Sequence, residues 1–129
     1  MKILIVTPTM ATFPFVSDLC AGLVAIDWDV HLASSVFRFE KQQSNVPYPH
    51  HPIAFPRGAN AIAHLRASRQ LSRLINKLQP SVVDVHFSAA MLTAALGKRK
   101  NWPPTVATVQ GLRFTTQTGA KGRIERTLE

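Results

Sequence analysis

Residues 80–114 read PSVVDVHFSAAMLTAALGKRKNWPPTVATVQGLRF. Two short runs rich in β-branched residues, 82–85 and 105–109, flank an alanine-rich segment of helical composition at 89–96. A strand, a helix and a strand in that order predict a parallel βαβ unit, because parallel strands can be joined only by a long crossover. Each run ends in polar residues: His86 and Ser88 after the first, Gln110, Gly111 and Arg113 after the second. Open parallel sheets bind ligands outside the carboxyl ends of their strands. These five are therefore candidate binding residues.

The rest of the chain extends the same pattern. Residues 1–7, MKILIVT, form an apolar run suited to a strand buried on both faces. Residues 13–25 follow with Phe15, Leu19, Leu23 and Ile26 at helical spacing, and Pro14 in the first turn. Asp27 is suited to end that helix in the left-handed conformation. A second strand is expected at 30–33, opened by Asp29, and a short third at 53–55. The polar, Pro-rich stretch 35–51 between them reads as a long loop. Pro56, Arg57 and Gly58 then turn the chain. Asn60 is a suitable N-cap for a helix running to Leu78, with Ile62, Leu65, Leu71, Leu74, Ile75 and Leu78 as its apolar stripe. Lys98, Arg99 and Lys100 stand at the end of the alanine-rich helix, where cations complement its dipole. The whole pattern predicts a Rossmann-like α/β fold. It is a doubly wound parallel sheet in three α/β/α layers, with strand order 3-2-1-4-5. Residues 123–129 look like the first turns of a further helix. The expectation is one domain over 1–129, truncated before its sheet is complete.

Charge narrows the partners. Fifteen basic against seven acidic residues leave a net charge of +8, which favours anionic partners without choosing among them. Arg66, Arg69, Arg73 and Lys77 recur at spacings of three and four and so form one ridge on their helix. That ridge is either a solvated face or a site facing an anionic membrane surface. Cys20 is the single cysteine, so no internal disulfide can form, and a cytoplasmic setting fits. The first apolar run is too short for a signal peptide or a membrane span. His50 and His51 are adjacent in the Pro-rich stretch and read as surface histidines, not as a metal site. No metal or cofactor is expected. Neither G-x-G-x-x-G nor G-x-x-x-x-G-K-[ST] occurs, which excludes the dinucleotide fingerprint and the P-loop.

Taken in order, MKILIVT, WDVHLAS, IAFPRGAN, LINKLQPSVVDVHFSAA, TVATVQGLRF and the terminal RTLE resemble the opening half of family 4 glycosyltransferases of the GT-B fold. The common P-D-V-V-H-x-H and T-x-H-G-L segments of that family appear as residues 80–86 and 108–112. The resemblance covers nearly the whole chain. It implies the N-terminal, acceptor-side domain of a retaining enzyme that moves a sugar from a nucleotide-sugar to a saccharide or polyprenyl-linked acceptor. Such an enzyme needs no metal in most members. A cytoplasmic location is the expectation, with the Arg66–Lys77 ridge, where it is more than a solvated face, attaching the protein to the inner membrane face. The family's donor-binding domain carries a Glu-x7-Glu motif. The glutamates here, Glu40, Glu125 and Glu129, do not have that spacing. A chain without the donor half is expected to be inactive alone.

The resemblance adds Thr9 and Met10, and Arg57 joins them as a residue following a short strand near the same edge, beside the substrate-binding candidates His86, Ser88, Gln110, Gly111 and Arg113. The Gly-Gly pair usual after the first strand is replaced by residues 9–12 without glycine, and Asp27 stands where a turn glycine is usual. Gln110 replaces the histidine that faces the reacting sugar. It can donate and accept hydrogen bonds but cannot titrate. Nucleic acid is not the expected partner. Two other classes stay open from the residues alone: a non-catalytic basic module docking on membrane or nucleic acid, and another Rossmann-like nucleotide-binding domain.

Overall fold

The computed structural model describes residues 1–36 and 46–110. Expectations that fall on residues 37–45 and 111–129, including Gly111, Arg113 and the helix at 123–129, lie outside the described residues. Five strands, β1 (Lys2–Thr9), β2 (Asp29–Ser35), β3 (His50–Pro52), β4 (Val82–His86) and β5 (Thr105–Thr108), form one sheet in the order β3-β2-β1-β4-β5. Every neighbouring pair is parallel. The topology is the doubly wound one expected from the sequence. Helices α1 (Ser17–Ala25), α2 (Ala61–Leu78) and α3 (Ser88–Gly97) lie in the connections from β1 to β2, β3 to β4 and β4 to β5.

Strand parity divides β1 and β4 between two layers. Leu4, Val6, Val83 and Val85 pack with Ala67, Leu71 and Ile75 of α2 and Ala90 and Ala94 of α3. Ile3 and Ile5 pack on the other face with Val16 and Cys20, alongside Val30 and Leu32 of β2. Asp84 is in register with Ile5, and His86 lies two residues on, so both occupy this α1 face.

The structure corrects four details. The helix expected from residue 13 begins only at Ser17, because Met10–Phe15 forms a 3-10 helix and Val16 leaves helical geometry at φ −117°, ψ −1°. That break shifts the helical phase. Cys20 becomes the buried residue of α1, while Phe15, Leu19 and Ile26 are exposed. Along α2 the buried face is His64, Ala67, Ser68, Leu71 and Ile75, whereas Ile62 and Leu65 face solvent. The reason is close helix packing: a Cβ on Gly97 would stand 3.0 Å from the Ser68 carbonyl oxygen, so small residues are selected where α2 meets α3. The third strand lies at His50–Pro52, ahead of its expected place, with Ile53 and Phe55 buried just after it. An edge strand tolerates Pro52, since only one side of it needs hydrogen-bond donors. Lastly, α3 ends at Gly97, so Lys98 caps it and Arg99 and Lys100 lie beyond its last turn.

Two local expectations hold. Asn60 Oδ1 accepts a hydrogen bond from the Ala63 amide at 3.1 Å and caps α2. Asp27 adopts φ 62° at the end of α1.

Candidate functional site

All five strands run the same way, so their carboxyl ends gather on one edge of the sheet. The connections after β1 and β4 leave that edge at the point where the strand order reverses. Thr9 ends β1. Its Oγ1 accepts a hydrogen bond from the Ala11 amide at 2.9 Å and starts the 3-10 helix, which stands in for the absent glycine loop. Met10 is buried behind it, so it shapes the edge rather than projecting from it. Arg57 is exposed in the connection between β3 and α2. That connection is held by His64, whose Nε2 lies 2.8 Å from the Gly58 carbonyl oxygen and whose Nδ1 lies 2.9 Å from Thr93 Oγ1.

The turn from β4 into α3 is strained. Phe87 takes φ 68°, ψ 149° at the N-cap position, a region that side chains rarely adopt and that costs about 1–3 kcal/mol. Its ring meets that of Phe15 edge-on, with centroids 5.8 Å apart. Phe15 is 69% exposed, so an aromatic pair bridges the connections after β1 and β4. Ser88 opens α3 beside it.

Two of the expected site residues, His86 and Gln110, are in contact. Gln110 Nε2 lies 2.8 Å from His86 Nδ1. The amide nitrogen can only donate, so Nδ1 is the acceptor in this contact, and the ring's other nitrogen, Nε2, points away from Gln110. That nitrogen lies 3.0 Å from Asp84 Oδ2. The two groups are close, but Nε2 makes no hydrogen bond among the described residues. Thr108 Oγ1 donates to the other carboxylate oxygen, Asp84 Oδ1, at 3.2 Å. Gln110 Oε1 is enclosed and accepts no hydrogen bond among the described residues. Leaving such an acceptor unpaired costs about 1–3 kcal/mol.

Sequence reasoning singled out His86 and Gln110 but left the face of Asp84 undecided. The i, i+2 spacing of Asp84 and His86 already put both on one face of a strand. What it lacked was the placement of α1, which tells the two faces apart.

A second polar cluster occupies β2 and β3. His31 Nδ1 and His51 Nε2 share a hydrogen bond of 2.9 Å, and His31 Nε2 lies 3.3 Å from Asp29 Oδ2. His50 Nε2 and Ser34 Oγ are 2.7 Å apart. His50 and His51 are thus half-buried strand residues, not free surface ones. Burial pushes both below the ordinary histidine range, and His51 is lowered further by the charges of His31, His50 and Lys77. Among the described residues, no three histidine, cysteine or acidic side chains are grouped to hold a metal ion.

Residues 2–129 match the family described as glycosyl transferase 4-like. The sequence has no match among curated proteins. Solved structures share the fold. UDP-GlcNAc 2-epimerase from Methanocaldococcus jannaschii aligns with a TM-score of 0.69 at 20% identity, over 99% of this chain and 36% of that one. Sucrose-phosphate synthase from Thermosynechococcus elongatus aligns at 0.64 and 12% identity, over 99% and 70%. The glycosyltransferase VinC, in complex with dTDP, aligns at 0.57 and 16% identity, over 93% and 40%. The chain thus spans little more than a third of the length of the epimerase.

Proposed function

We propose that this chain, which belongs to the glycosyl transferase 4-like family, is the acceptor-binding half of an enzyme that transfers a sugar from a nucleotide-sugar to a saccharide or polyprenyl-linked acceptor. The observation that carries the reading is the His86–Gln110 pair at the carboxyl ends of β4 and β5, the edge where an open parallel sheet takes its ligand. Thr9, Met10, Arg57 and Ser88 are proposed to line the same edge, and Gly111 and Arg113 to continue it. The donor nucleotide is assigned to a second domain outside these 129 residues, so the chain alone should not turn over. The retaining course of the reaction belongs to this proposal too.

The likeness to an epimerase concerns the fold, and the two activities part at the acceptor. A transferase releases the nucleotide only as sugar passes to a second molecule. The test is nucleotide release from nucleotide-sugars by the full-length protein, with and without saccharide acceptors. Acceptor-dependent release with a new glycoside supports the reading. Acceptor-independent isomerisation of the sugar would replace it. If Gln110 orients a sugar hydroxyl in the transition state, Gln110→Ala lowers kcat more than it raises KM. The loss expected for one neutral hydrogen bond is about 0.5–1.5 kcal/mol, or roughly two- to tenfold in rate.

Peripheral attachment to an anionic membrane surface, on the cytoplasmic side, completes the proposal. Arg66, Arg69, Arg73 and Lys77 are all exposed along α2, beside the exposed Ile62 and Leu65. Each basic residue near such a surface contributes about 1 kcal/mol. No described helix is long and apolar enough to cross a membrane. Arg66→Glu with Arg73→Glu should abolish salt-sensitive binding to vesicles containing phosphatidylglycerol. Unchanged binding would make the ridge a solvated face. Salt-sensitive binding to DNA with no sugar transfer would favour a non-catalytic basic module.

A further inference from the structure

The connection from β3 to α2 leaves the carboxyl edge of the sheet and is tied down on both sides of Arg57. Before it, Ser35 Oγ at the end of β2 lies 2.9 Å from the Ile53 carbonyl oxygen and 3.2 Å from that of Phe55. The Ala54 amide donates to Gln70 Oε1 of α2 at 3.1 Å. After it, His64 Nε2 holds the Gly58 carbonyl oxygen at 2.8 Å. Pro56, between the two ties, has its φ fixed by its ring. The backbone is left few ways to turn at Arg57, whose side chain is exposed. His64 itself is 2% exposed, and a buried imidazole is costly unless its nitrogens are paired. A carbonyl oxygen only accepts, so Nε2 carries the proton. In the neutral ring Nδ1 then has a lone pair, and the buried Thr93 hydroxyl of α3 donates to it at 2.9 Å. A helical threonine can turn its hydroxyl back on its own helix. Here it backs a histidine 29 residues away, so one relay runs from α3 through α2 to the turn.

We propose that His64 and Thr93 are positioning residues that fix the backbone at Gly58 and so set Arg57 at the carboxyl edge for the acceptor. A guanidinium has only donors, so its counterpart on the acceptor is an accepting oxygen, an anionic one most strongly. Removing the Thr93 hydroxyl leaves a buried lone pair on Nδ1. The ring regains a partner only by turning, and turning releases Gly58. A contact group displaced by about 1 Å loses much of its effect. The role of Arg57 towards the acceptor rests on the glycosyltransferase reading; the clamp on Gly58 does not.

The clamp is readable without substrate. In long-range 1H–15N spectra of the full-length protein at neutral pH, His64 should show a protonated Nε2 and an unprotonated Nδ1. A proton on Nδ1 alone would overturn the proposal. Thr93→Val keeps the shape and removes the donor, so the backbone amide signals of Arg57 and Gly58 should move or broaden. That of Ala63, held by Asn60, should stay in place. Thr93→Ser should restore the wild-type signals. Unmoved Arg57 and Gly58 signals in Thr93→Val would sink the clamp. Should Thr93→Val fail to fold, the wild-type spectrum still decides. With the saccharide acceptor that supports transfer, Thr93→Val should raise the acceptor KM by about two- to tenfold with kcat little changed, and Thr93→Ser should not. In an Arg57→Ala background Thr93→Val should add nothing further. An undiminished effect there would mean that the hydroxyl does not act through Arg57, and would overturn the positioning role. If the wild-type protein transfers no sugar at all, the failure lies with the glycosyltransferase reading, and the spectra still judge the clamp.

Discussion

The two faces of the sheet are built on different terms. The face under α2 and α3 is closed by thirteen buried apolar residues from four strand regions, both helices and Trp102. The α1 face has six, among the described residues, and carries Asp84, His86 and Thr108 where a core would be expected. On it Val106 is half exposed, and along α1 Leu19 and Val24 remain in contact with water. Apolar burial is non-directional and scales with area, so it stabilises a face without orienting anything on it. A polar row does the reverse. It contributes little net stability per bond, but each bond fixes the direction of the next. The closed face therefore holds the sheet, and the polar face holds the candidate site.

That division can be broken by measurement. The largest effect belongs to the closed face: Leu71→Ala should cost about 2–5 kcal/mol in denaturant unfolding, because Leu71 is fully buried between α2 and the sheet. A loss below 1 kcal/mol would mean that this face is not the main support. Gly97→Ala should follow at about 1–3 kcal/mol. Its methyl group would meet the Ser68 carbonyl oxygen at 3.0 Å and the Ser68 Cβ at 3.1 Å, so part of the obstruction is backbone, which cannot rotate away.

A smaller effect is expected at the sheet edge and is tied to pH. His50 and His51 are lowered from 6.5 by burial, so the unfolded chain binds more protons than the folded one below that value. Their contribution is complete above pH 6.5 and is lost as pH falls through the depressed folded values. Unfolding curves between pH 7.5 and 5 should show this decline, and His51→Gln should flatten part of it. A stability that rises on acidification over the same range would reverse the assignment. Cys20 titrates the other way: burial raises it from 9.0 to about 11, so the native thiol should resist alkylation at pH 8 and react only on unfolding. The smallest effect is on the α1 face, where Leu19→Ala should change stability by no more than about 0.5 kcal/mol. A loss comparable to that of Leu71→Ala would erase the contrast between the faces.

Much of the fold was legible in the residues. The β-branched runs at 82–85 and 105–109, the apolar opening and the order of elements gave the parallel sheet and its strand order, because each signal is local and the crossover rule restricts the topology. Asn60 and Asp27 were legible for the same reason, since a cap or a left-handed turn depends on one side chain and its own backbone. The helix faces were not. Hydrophobicity alone picked Ile62 and Leu65 for burial on α2, but the closeness of α3 at Gly97 selected Ala67 and Ser68 on size and His64 on its bonds to Gly58 and Thr93. The β3 strand was missed because its run is polar and Pro-rich, and it holds by pairing along one side of β2 rather than by its own propensity.

At the site, His86 and Gln110 could be picked from the sequence as polar residues ending apolar strands. Their contact could not, since 24 residues separate them and only the β4–β5 register brings His86 level with Thr108. The sequence by itself determined a parallel doubly wound domain with polar groups at the carboxyl ends of its strands, because periodicity and chain connectivity act within a few residues. Which face Asp84 occupies, and that His86, Thr108 and Gln110 gather around it, were decided only by tertiary structure. Those are properties of groups brought together across strands, and a hydrogen-bond role is fixed only when the partner is in place.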